Sequence, residues 1–269
     1  NVAGYDIAKL LIGSYGTLGV IVETSFKLFP LPAERQTFVI PAGTLGIARD
    51  LRRRVLHSPL TPLRMVLLNT RAAELSRVGT PLQRSAKEPE IRLEMAGSAR
   101  VMERCRQELE GLAKASGAPL EPLAPTDAET VWTRVSDLES WLPGQSPGVV
   151  ILKAILPDAA SEELLSRAEQ EAENEKIPLA GFVQLGSGVL HLCLLSESAA
   201  AIASHLITKL RGAAESLGGV LVVERCPLDL KERLDVWGGP RDDFAVMRKI
   251  KETLDPKGTL SPGRFLSRL

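Results

Sequence analysis

Residues 179–195 read LAGFVQLGSGVLHLCLL, and this stretch specifies a β-hairpin. The run from Leu179 to Leu185 is mostly apolar, and so is the run from Val189 to Leu195. Between them stands Gly186-Ser187-Gly188, whose glycines supply the positive φ angles of a tight hairpin turn. The spacing therefore predicts two antiparallel strands that pair directly with each other.

One helix and one further strand flank the hairpin on each side. Residues 158–175 and 198–216 have apolar side chains at the three- and four-residue spacing of an amphipathic helix. Outside them, residues 149–156 and 220–224 are β-branched, apolar runs of strand length. The second half of the chain therefore has the order strand, helix, strand, strand, helix, strand.

The first half repeats this order. It predicts strands at 37–40, 63–68, 90–96 and 120–123, and helices at 44–57 and 98–116. A further helix is expected at 125–141. The fold class predicted is α+β: a duplicated β-α-β-β-α-β domain with one large antiparallel sheet of about seven or eight strands, covered by helices.

The composition excludes several classes of protein. Among 269 residues, the 33 Lys and Arg balance the 33 Asp and Glu, so no excess positive charge favours nucleic acid, and none is expected as a partner. The three cysteines are far apart, which indicates thiols of a reducing compartment and a cytoplasmic location. No apolar run approaches the roughly 18 residues that span a membrane.

Both ends of the chain carry glycine-containing motifs. Near the start, a glycine-spaced elbow from Gly13 to Gly19 leads into a β-branched run at 20–29, which predicts a strand. Pro30 and Pro32 then indicate a linker. Near the end, residues 254–265 read LDPKGTLSPGRF. Taken alone, the elbow is equally typical of an ordinary tight turn before a strand.

Taken together, the two end motifs resemble the flavoproteins of the vanillyl-alcohol-oxidase type. The segment GYDIAKLLIGSYGTLGVIVE resembles the end of their FAD-binding domain, and LDPKGTLSPGRF resembles their C-terminal tail. Glu224-Arg225-Cys226-Pro227 and Leu234-Asp235-Val236-Trp237-Gly238 are similar to the glycolate oxidase branch, in particular its smaller FAD-binding subunit.

The resemblance implies three domain segments. Residues 1–32 are expected to be the C-terminal part of the FAD-binding domain, residues 33–227 the substrate or cap domain, and residues 228–269 C-terminal helices and a tail that return to the FAD domain. Family members hold the pyrophosphate of FAD on a glycine-rich loop that precedes this region. We therefore expect a C-terminal fragment that lacks that half-domain and carries no FAD by itself.

The resemblance also implies an activity. It predicts a subunit of an FAD-dependent oxidoreductase that oxidises a small, glycolate-like 2-hydroxy acid to the 2-oxo acid. The partners implied are a second flavoprotein subunit and an iron–sulfur subunit, through which the protein could associate with a membrane. Two alternatives stay open: a non-catalytic interaction subunit of such a complex, and an enzyme similar to D-lactate dehydrogenase.

Arginines and one histidine are the candidate catalytic residues. A guanidinium can grip a substrate carboxylate through two parallel hydrogen bonds, which makes Arg225 and Arg264 candidates, although either could instead form an ordinary salt bridge. His191 lies in the hairpin, where related D-lactate dehydrogenase-type flavoproteins place a metal-binding histidine. Because His57 and His205 fall on predicted helices away from it, no metal site is expected.

The resemblance implies that FAD contacts the elbow through backbone atoms. The cofactor-binding residues expected are Gly13, Thr17, Gly19, Val20 and Ile21. The tail differs from the family pattern at one position, because Ser261 stands where the family usually has Asn. Any polar contact that the amide makes to the flavin from this position is therefore in question.

Overall fold

The computed structural model describes residues 4, 6–77, 87–157, 160–197 and 204–269. The chain forms two compact units. The larger comprises Leu31–Leu234, and the smaller comprises Asn1–Pro30 together with Asp235–Leu269. Residues 158–159 and 198–203, where the sequence predicts the first turns of two helices, lie outside the described residues.

In the described part of the larger unit, eight strands form one sheet. They are β1 (Glu34–Pro41), β2 (Arg64–Leu68), β3 (Glu90–Gly97), β4 (Glu121–Pro122), β5 (Val150–Ile155), β6 (Leu179–Gln184), β7 (Val189–Leu194) and β8 (Val220–Arg225). Their order across the sheet is β4-β1-β3-β2-β6-β7-β5-β8, and every pair is antiparallel.

Helices cover this sheet. In the larger unit they are α2 (Leu45–Leu56), α3 (Thr70–Arg77), α4 (Ala99–Ala115), α5 (Pro125–Ser136), α6 (Leu138–Gln145), α7 (Ser161–Asn174), α8 (Ser204–Ser216) and α9 (Leu228–Lys231). The smaller unit contains α1 (Ile7–Leu11) and α10 (Phe244–Leu254). No helix within the described residues is both long and apolar enough to cross a membrane.

The duplication predicted from the sequence is confirmed. One copy runs β1-α2-β2-β3-α4-β4 and the other β5-α7-β6-β7-α8-β8. Within the sheet the copies have mirrored strand orders, and they meet where β2 pairs with β6, the second strand of each copy. A single antiparallel sheet therefore contains both copies.

The helices lie on both faces of the sheet. On one face α2 contacts α4 and α7, and α7 contacts α8. The other face carries α3, α5 and α6, which share a buried apolar cluster with side chains of β2, β5, β6 and β7. His191 and Phe182 belong to this second face, since their rings stack.

Coverage of the second face explains one departure from expectation. In the strand predicted at 90–96, the apolar residues Ile91, Leu93 and Met95 alternate with other residues, a pattern typical of a strand that is buried on one side. In the structure, Glu90 and Arg92 are also buried. Their charges are satisfied locally: Arg92 contacts the Glu90 carboxylate and donates to Ser76 Oγ at 2.7 Å. Because α3 supplies Ser76, a helix that the sequence does not predict makes the buried charges tolerable.

Two other predictions need correction. The helix expected at 125–141 is two helices, because Asp137 has φ −96° and ψ 4° and ends α5 before α6 begins. The strand expected at 20–29 is wrong: within the described residues this segment forms no strand, and Val22 and Phe26 are exposed. A strand requires a partner for its backbone groups, and β-propensity alone does not provide one.

Asn69 fixes the junction between the two copies. It is 2% exposed, and its Oδ1 accepts from the backbone N–H groups of Ala72 and Gly181, both at 2.9 Å. Its Nδ2 donates to Leu179 O at 3.0 Å and to Glu169 Oε1 at 2.9 Å. One side chain therefore begins α3 and binds the backbone of β6.

In the smaller unit, the elbow packs against the C-terminal tail. The Tyr15 and Trp237 ring centroids are 5.1 Å apart, and those of Trp237 and Phe265 are 4.9 Å apart. Lys251 Nζ, which is buried, donates to the carbonyl oxygens of Thr17 at 2.8 Å and Leu260 at 2.9 Å. The two ends of the chain thus form one structural unit.

Candidate active site

His191 lies in a cluster of charged side chains on the sheet. It is in the middle of β7, opposite Lys153 of β5 and Phe182 of β6. Its ring stacks on that of Phe182, with centroids 4.6 Å apart and planes 2° from parallel. The Nδ1 atom contacts the carboxylate of Glu139, which α6 places above the strand. The ring is therefore held both by stacking and by a charged neighbour.

A β-bulge adds a second carboxylate to this cluster. Ile151 of β5 pairs with Arg225, whereas the next residue, Leu152, pairs with Val223. Glu224 is the extra residue between them, and bulges of this kind redirect side chains near functional sites. Its carboxylate lies 3.2 Å from Lys153 Nζ and 3.9 Å from His191 Nδ1.

The charges in the cluster influence each other. Burial raises the pKa of Glu139, but contact with His191 and the positive charge of Lys153 lower it more, so its net pKa is below the ordinary value. Burial raises the pKa of the neighbouring Cys193 thiol, and the Glu139 and Glu224 carboxylates raise it further. Glu139 is therefore an anion at neutral pH, and Cys193 is a neutral thiol.

The same side chains have the chemistry of a cation site. Ligand atoms of Glu139, His191 and Glu224 lie within 4.8 Å of one another. One imidazole and two carboxylates suit a divalent transition metal, and three protein ligands would leave coordination positions open. The expectation of no metal was based on the spacing of histidines alone and overlooked the carboxylates. The absence of a bound metal stays a prediction.

An open cavity of about 350 Å³ lies beside His191. Arg64, Trp132 and Ser136 separate it from a second cavity of about 570 Å³, since all three line both. The Arg64 guanidinium lies 4.3 Å from the centroid of the Trp132 ring, and its Nε donates to Glu94 at 2.9 Å. His191 therefore faces a space in which a small molecule can bind.

The two candidate arginines lie apart from this cavity. Arg225 is exposed at the end of β8, directly after the bulge at Glu224, and does not line the cavity beside His191. Arg264 belongs to the smaller unit, where it is exposed and its carbonyl accepts from Trp237 Nε1 at 3.2 Å. Arg225 and His191 thus share the larger unit, and Arg264 does not.

The elbow residues differ in what they could offer a cofactor. Thr17 is 3% exposed, and its hydroxyl donates to Ser14 O at 2.7 Å while its carbonyl accepts from Lys251. Val20 and Ile21, by contrast, are 73% and 54% exposed and pair with no strand within the described residues. Backbone contacts to FAD therefore fit Val20 and Ile21 better than Thr17.

Gly13 and Gly19 shape the elbow. Gly13 has φ +81°, and the position of a Cβ atom there would be open space. At Gly19 a Cβ would come within 3.2 Å of Leu11, so a side chain would crowd α1. Gly13 therefore permits the turn and allows another molecule to approach its backbone closely. Gly19, by contrast, permits close packing within the unit.

Ser261 occupies a left-handed backbone position, with φ +42°. Asn adopts this conformation more readily than most residues. The Asn that is usual in the family therefore suits the backbone conformation at this position, in addition to any contact that its amide makes to the flavin. The Oγ atom of Ser261 would lie 3.4 Å from a Cβ at Gly16 of the elbow.

Comparisons with known proteins agree with this architecture. Residues 237–265 match the model for the C-terminal domain of FAD linked oxidases. The chain is 22% identical to glycolate oxidase subunit GlcD of Bacillus subtilis, over 100% of this chain and 58% of that protein. It is 28% identical to D-lactate dehydrogenase of Archaeoglobus fulgidus, over 100% of this chain and 60% of that protein. The chain thus spans about three fifths of the length of these relatives.

A shorter match to another relative has a higher sequence identity. Over 32 residues, 12% of this chain and 9% of the relative, the identity to glycolate oxidase subunit GlcE of Escherichia coli is 59%. Among solved structures, alkyldihydroxyacetonephosphate synthase has the same fold, with a TM-score of 0.65 and 18% identity over 97% of this chain and 50% of that one. Residues 237–265 are therefore similar to the C-terminal domain of FAD linked oxidases, and the chain as a whole shares its fold with alkyldihydroxyacetonephosphate synthase.

Proposed function

We propose that this chain is the substrate-binding part of an FAD-dependent oxidoreductase that converts a small 2-hydroxy acid to the 2-oxo acid. One observation carries the proposal: His191, with Glu139 on its Nδ1, borders an open cavity. The names of the relatives support the reaction class, since they include a glycolate oxidase subunit and a D-lactate dehydrogenase.

The reaction removes the hydroxyl proton and transfers a hydride from the α-carbon. The residues of the cluster are suited to accepting the proton. With Nδ1 engaged by Glu139, the Nε2 atom of His191 is left to accept the hydroxyl proton, and the carboxylate then stabilises the imidazolium. Lys153, whose Nζ lies 3.2 Å from the Glu224 carboxylate, offsets the negative charge of the two carboxylates beside His191. When bound, FAD supplies the two-electron oxidation.

The arginines and the elbow complete the proposed assignment. Arg225 is proposed to bind the substrate carboxylate as it enters, since it is exposed beside Glu224. Arg264 is proposed to contact the cofactor within the smaller unit. Exposed backbone at Val20 and Ile21, with the open turn at Gly13, is proposed to meet FAD.

The test uses the full-length protein loaded with FAD. We expect it to reduce an artificial electron acceptor when glycolate or lactate is added. His191→Asn should lower kcat by about 100-fold or more, in line with the loss of a general base. The matched control is His205→Asn: His205 also contacts a glutamate, Glu175 at 2.6 Å, but its side chain is exposed on α8. Equal effects of the two substitutions would contradict the proposal.

The proposed setting is a complex. The relatives named as glycolate oxidase subunits favour partners of that kind, which we propose to be a second flavoprotein subunit and an iron–sulfur subunit. A cytoplasmic location, with membrane association through those partners, belongs to the same proposal. Co-purification of the native protein from its source, followed by flavin and iron analysis, tests this arrangement.

A non-catalytic subunit is the second candidate. Two observations favour it: Thr17 has its polar groups engaged within the chain, and Ser261 replaces the family's usual Asn. In that case the partner would contain the reacting flavin. The His191→Asn substitution would then leave oxidation by the assembled complex unchanged. The catalytic proposal expects the substitution to abolish this oxidation.

A further inference from the structure

The cavity beside His191 is larger than a two-carbon acid requires. Its volume of about 350 Å³ falls within the range of about 300–1,000 Å³ that is typical of sites for much larger ligands. Glycolate beside His191 would fill only a small part of this space. The size of the cavity therefore favours a substrate with a substantial side chain.

Apolar residues make up half of the lining of the cavity, and the other half is Arg64, Ser136, Glu139, Gln184, Ser187 and His191. Six of the residues that line it present hydrocarbon, aromatic or thioether surface: Met65, Val66, Trp132, Val135, Phe182 and Leu185. Phe182 also stacks on His191, so the apolar surface begins directly at the proposed base. A substrate whose α-carbon lies at His191 would place its side chain against these walls.

The charges that line the cavity are already compensated. Arg64 donates from two nitrogens to the two oxygens of Glu94, at 2.9 and 3.3 Å, and covers the face of Trp132. Glu139 is paired with His191. Among the described lining residues, every cation already has a carboxylate partner in the protein. None is therefore left to bind a second carboxylate group of a substrate. A dicarboxylic acid would also bring its distal charge near Glu94 and Glu139.

From this geometry we infer that the substrate is a 2-hydroxy acid with a bulky, uncharged apolar side chain, branched or aromatic. The inference rests on the proposed function and specifies its substrate class. Each methylene that fills an apolar pocket is worth roughly tenfold or more in kcat/KM. We therefore expect 2-hydroxy-4-methylpentanoate and 3-phenyllactate to exceed glycolate by about 100-fold or more.

Narrowing the cavity provides the test. Ser136 is exposed at the last position of α5 and lines both cavities, so Ser136→Phe fills space without disturbing the core. Ser140→Phe is the matched control, since Ser140 is exposed on α6 and lines neither cavity. In the FAD-loaded full-length protein, Ser136→Phe should remove the preference for bulky acids, and Ser140→Phe should preserve it.

Two readouts separate this inference from the proposed function. Turnover of glycolate, 2-hydroxy-4-methylpentanoate, 3-phenyllactate and 2-hydroxyglutarate reports on both. Calorimetric binding of the matching 2-oxo acids reports on the cavity alone. A preference for glycolate or 2-hydroxyglutarate in either readout overturns the inference, as does a preference for bulky acids that survives Ser136→Phe. If 4-methyl-2-oxopentanoate binds best but no acid is oxidised, the substrate class stands as a binding preference and the proposed reaction fails.

Discussion

Replacing Asn69 by alanine should destabilise the larger unit at the junction of its two halves. The substitution removes the acceptor of two buried backbone N–H groups, those of Ala72 and Gly181, and a donor to the carbonyl of Leu179. A buried polar group that loses its partner costs about 1–3 kcal/mol. Two donors and one acceptor, partly relieved by local relaxation, give a loss of about 3 kcal/mol.

This loss is large enough to measure by thermal or urea unfolding. For a unit of this size, 1 kcal/mol corresponds to about 2–4 °C in Tm, so Asn69→Ala should lower Tm by roughly 6–12 °C. Asn174→Ala is the matched control, because Asn174 is exposed on α7 and accepts a single long hydrogen bond from Gln170. The control should change stability by less than about 0.5 kcal/mol.

Asn69→Asp separates the two roles of the amide. Aspartate retains the acceptor for the backbone N–H groups but loses the donor, and it places a second carboxylate next to Glu169. Burial already raises the pKa of Glu169. The aspartate variant should therefore be least stable at neutral pH and recover as the pH falls. If Asn69→Ala and Asn174→Ala unfold alike, the hydrogen bonds of Asn69 do not hold the two halves together and this reasoning is refuted.

Three further predictions concern single groups. Burial and the carboxylates of Glu139 and Glu224 raise the pKa of the Cys193 thiol, so iodoacetamide at pH 8 should label the half-buried Cys226 before Cys193. Labelling of Cys193 before Cys226 in a mass spectrum would contradict the buried, negatively charged environment of Cys193. Lys251 and the backbone N–H groups of Thr259 and Leu260 hold the pKa of Asp255 below the ordinary value of about 3.9. The smaller unit should therefore keep this stabilisation at pH 5 to 7 and lose it as the pH falls below about 4. An NMR titration of the Asp255 side chain with a midpoint above about 3.9 would refute this. Residues 1–269 alone should bind FAD more weakly than about 1 μM, because Thr17 is engaged internally and the elbow offers few free backbone donors; tighter binding by calorimetry would show that the elbow suffices.

The sequence alone predicts most of the fold of the larger unit. Hydrophobic periodicity distinguishes helices from strands, as in α4, where Met102, Cys105, Leu109 and Ala113 are buried at helical spacing. The repeated order of elements then leads to the duplicated sheet. The prediction misses α3, because the sequence TRAAELSR is short and polar and its apolar face is largely alanine. It also assigns a strand at 20–29, where no partner strand is present among the described residues.

The candidate site is less predictable, because four separate elements, α6, β5, β7 and β8, contribute its side chains. His191 is a candidate from the sequence because it resembles, in its place after a glycine turn, a histidine of D-lactate dehydrogenase-type flavoproteins. Glu139 is not, since nothing in its local pattern indicates that α6 will place it on the Nδ1 atom. Glu224 reaches the cluster only through a bulge, and a bulge has no distinctive residue spacing. Lys153 looks like an ordinary strand residue until β5 pairs with β7.

The most direct test of the central claim is anaerobic reduction of the bound flavin. The full-length, FAD-loaded protein is mixed with a 2-hydroxy acid while the flavin absorbance is followed by stopped flow. We predict bleaching of the flavin in the wild type and in His205→Asn, and bleaching slowed by about 100-fold or more in His191→Asn. If no 2-hydroxy acid bleaches the flavin, or if His191→Asn bleaches it as fast as the wild type, His191 is not the base of a 2-hydroxy acid oxidoreductase.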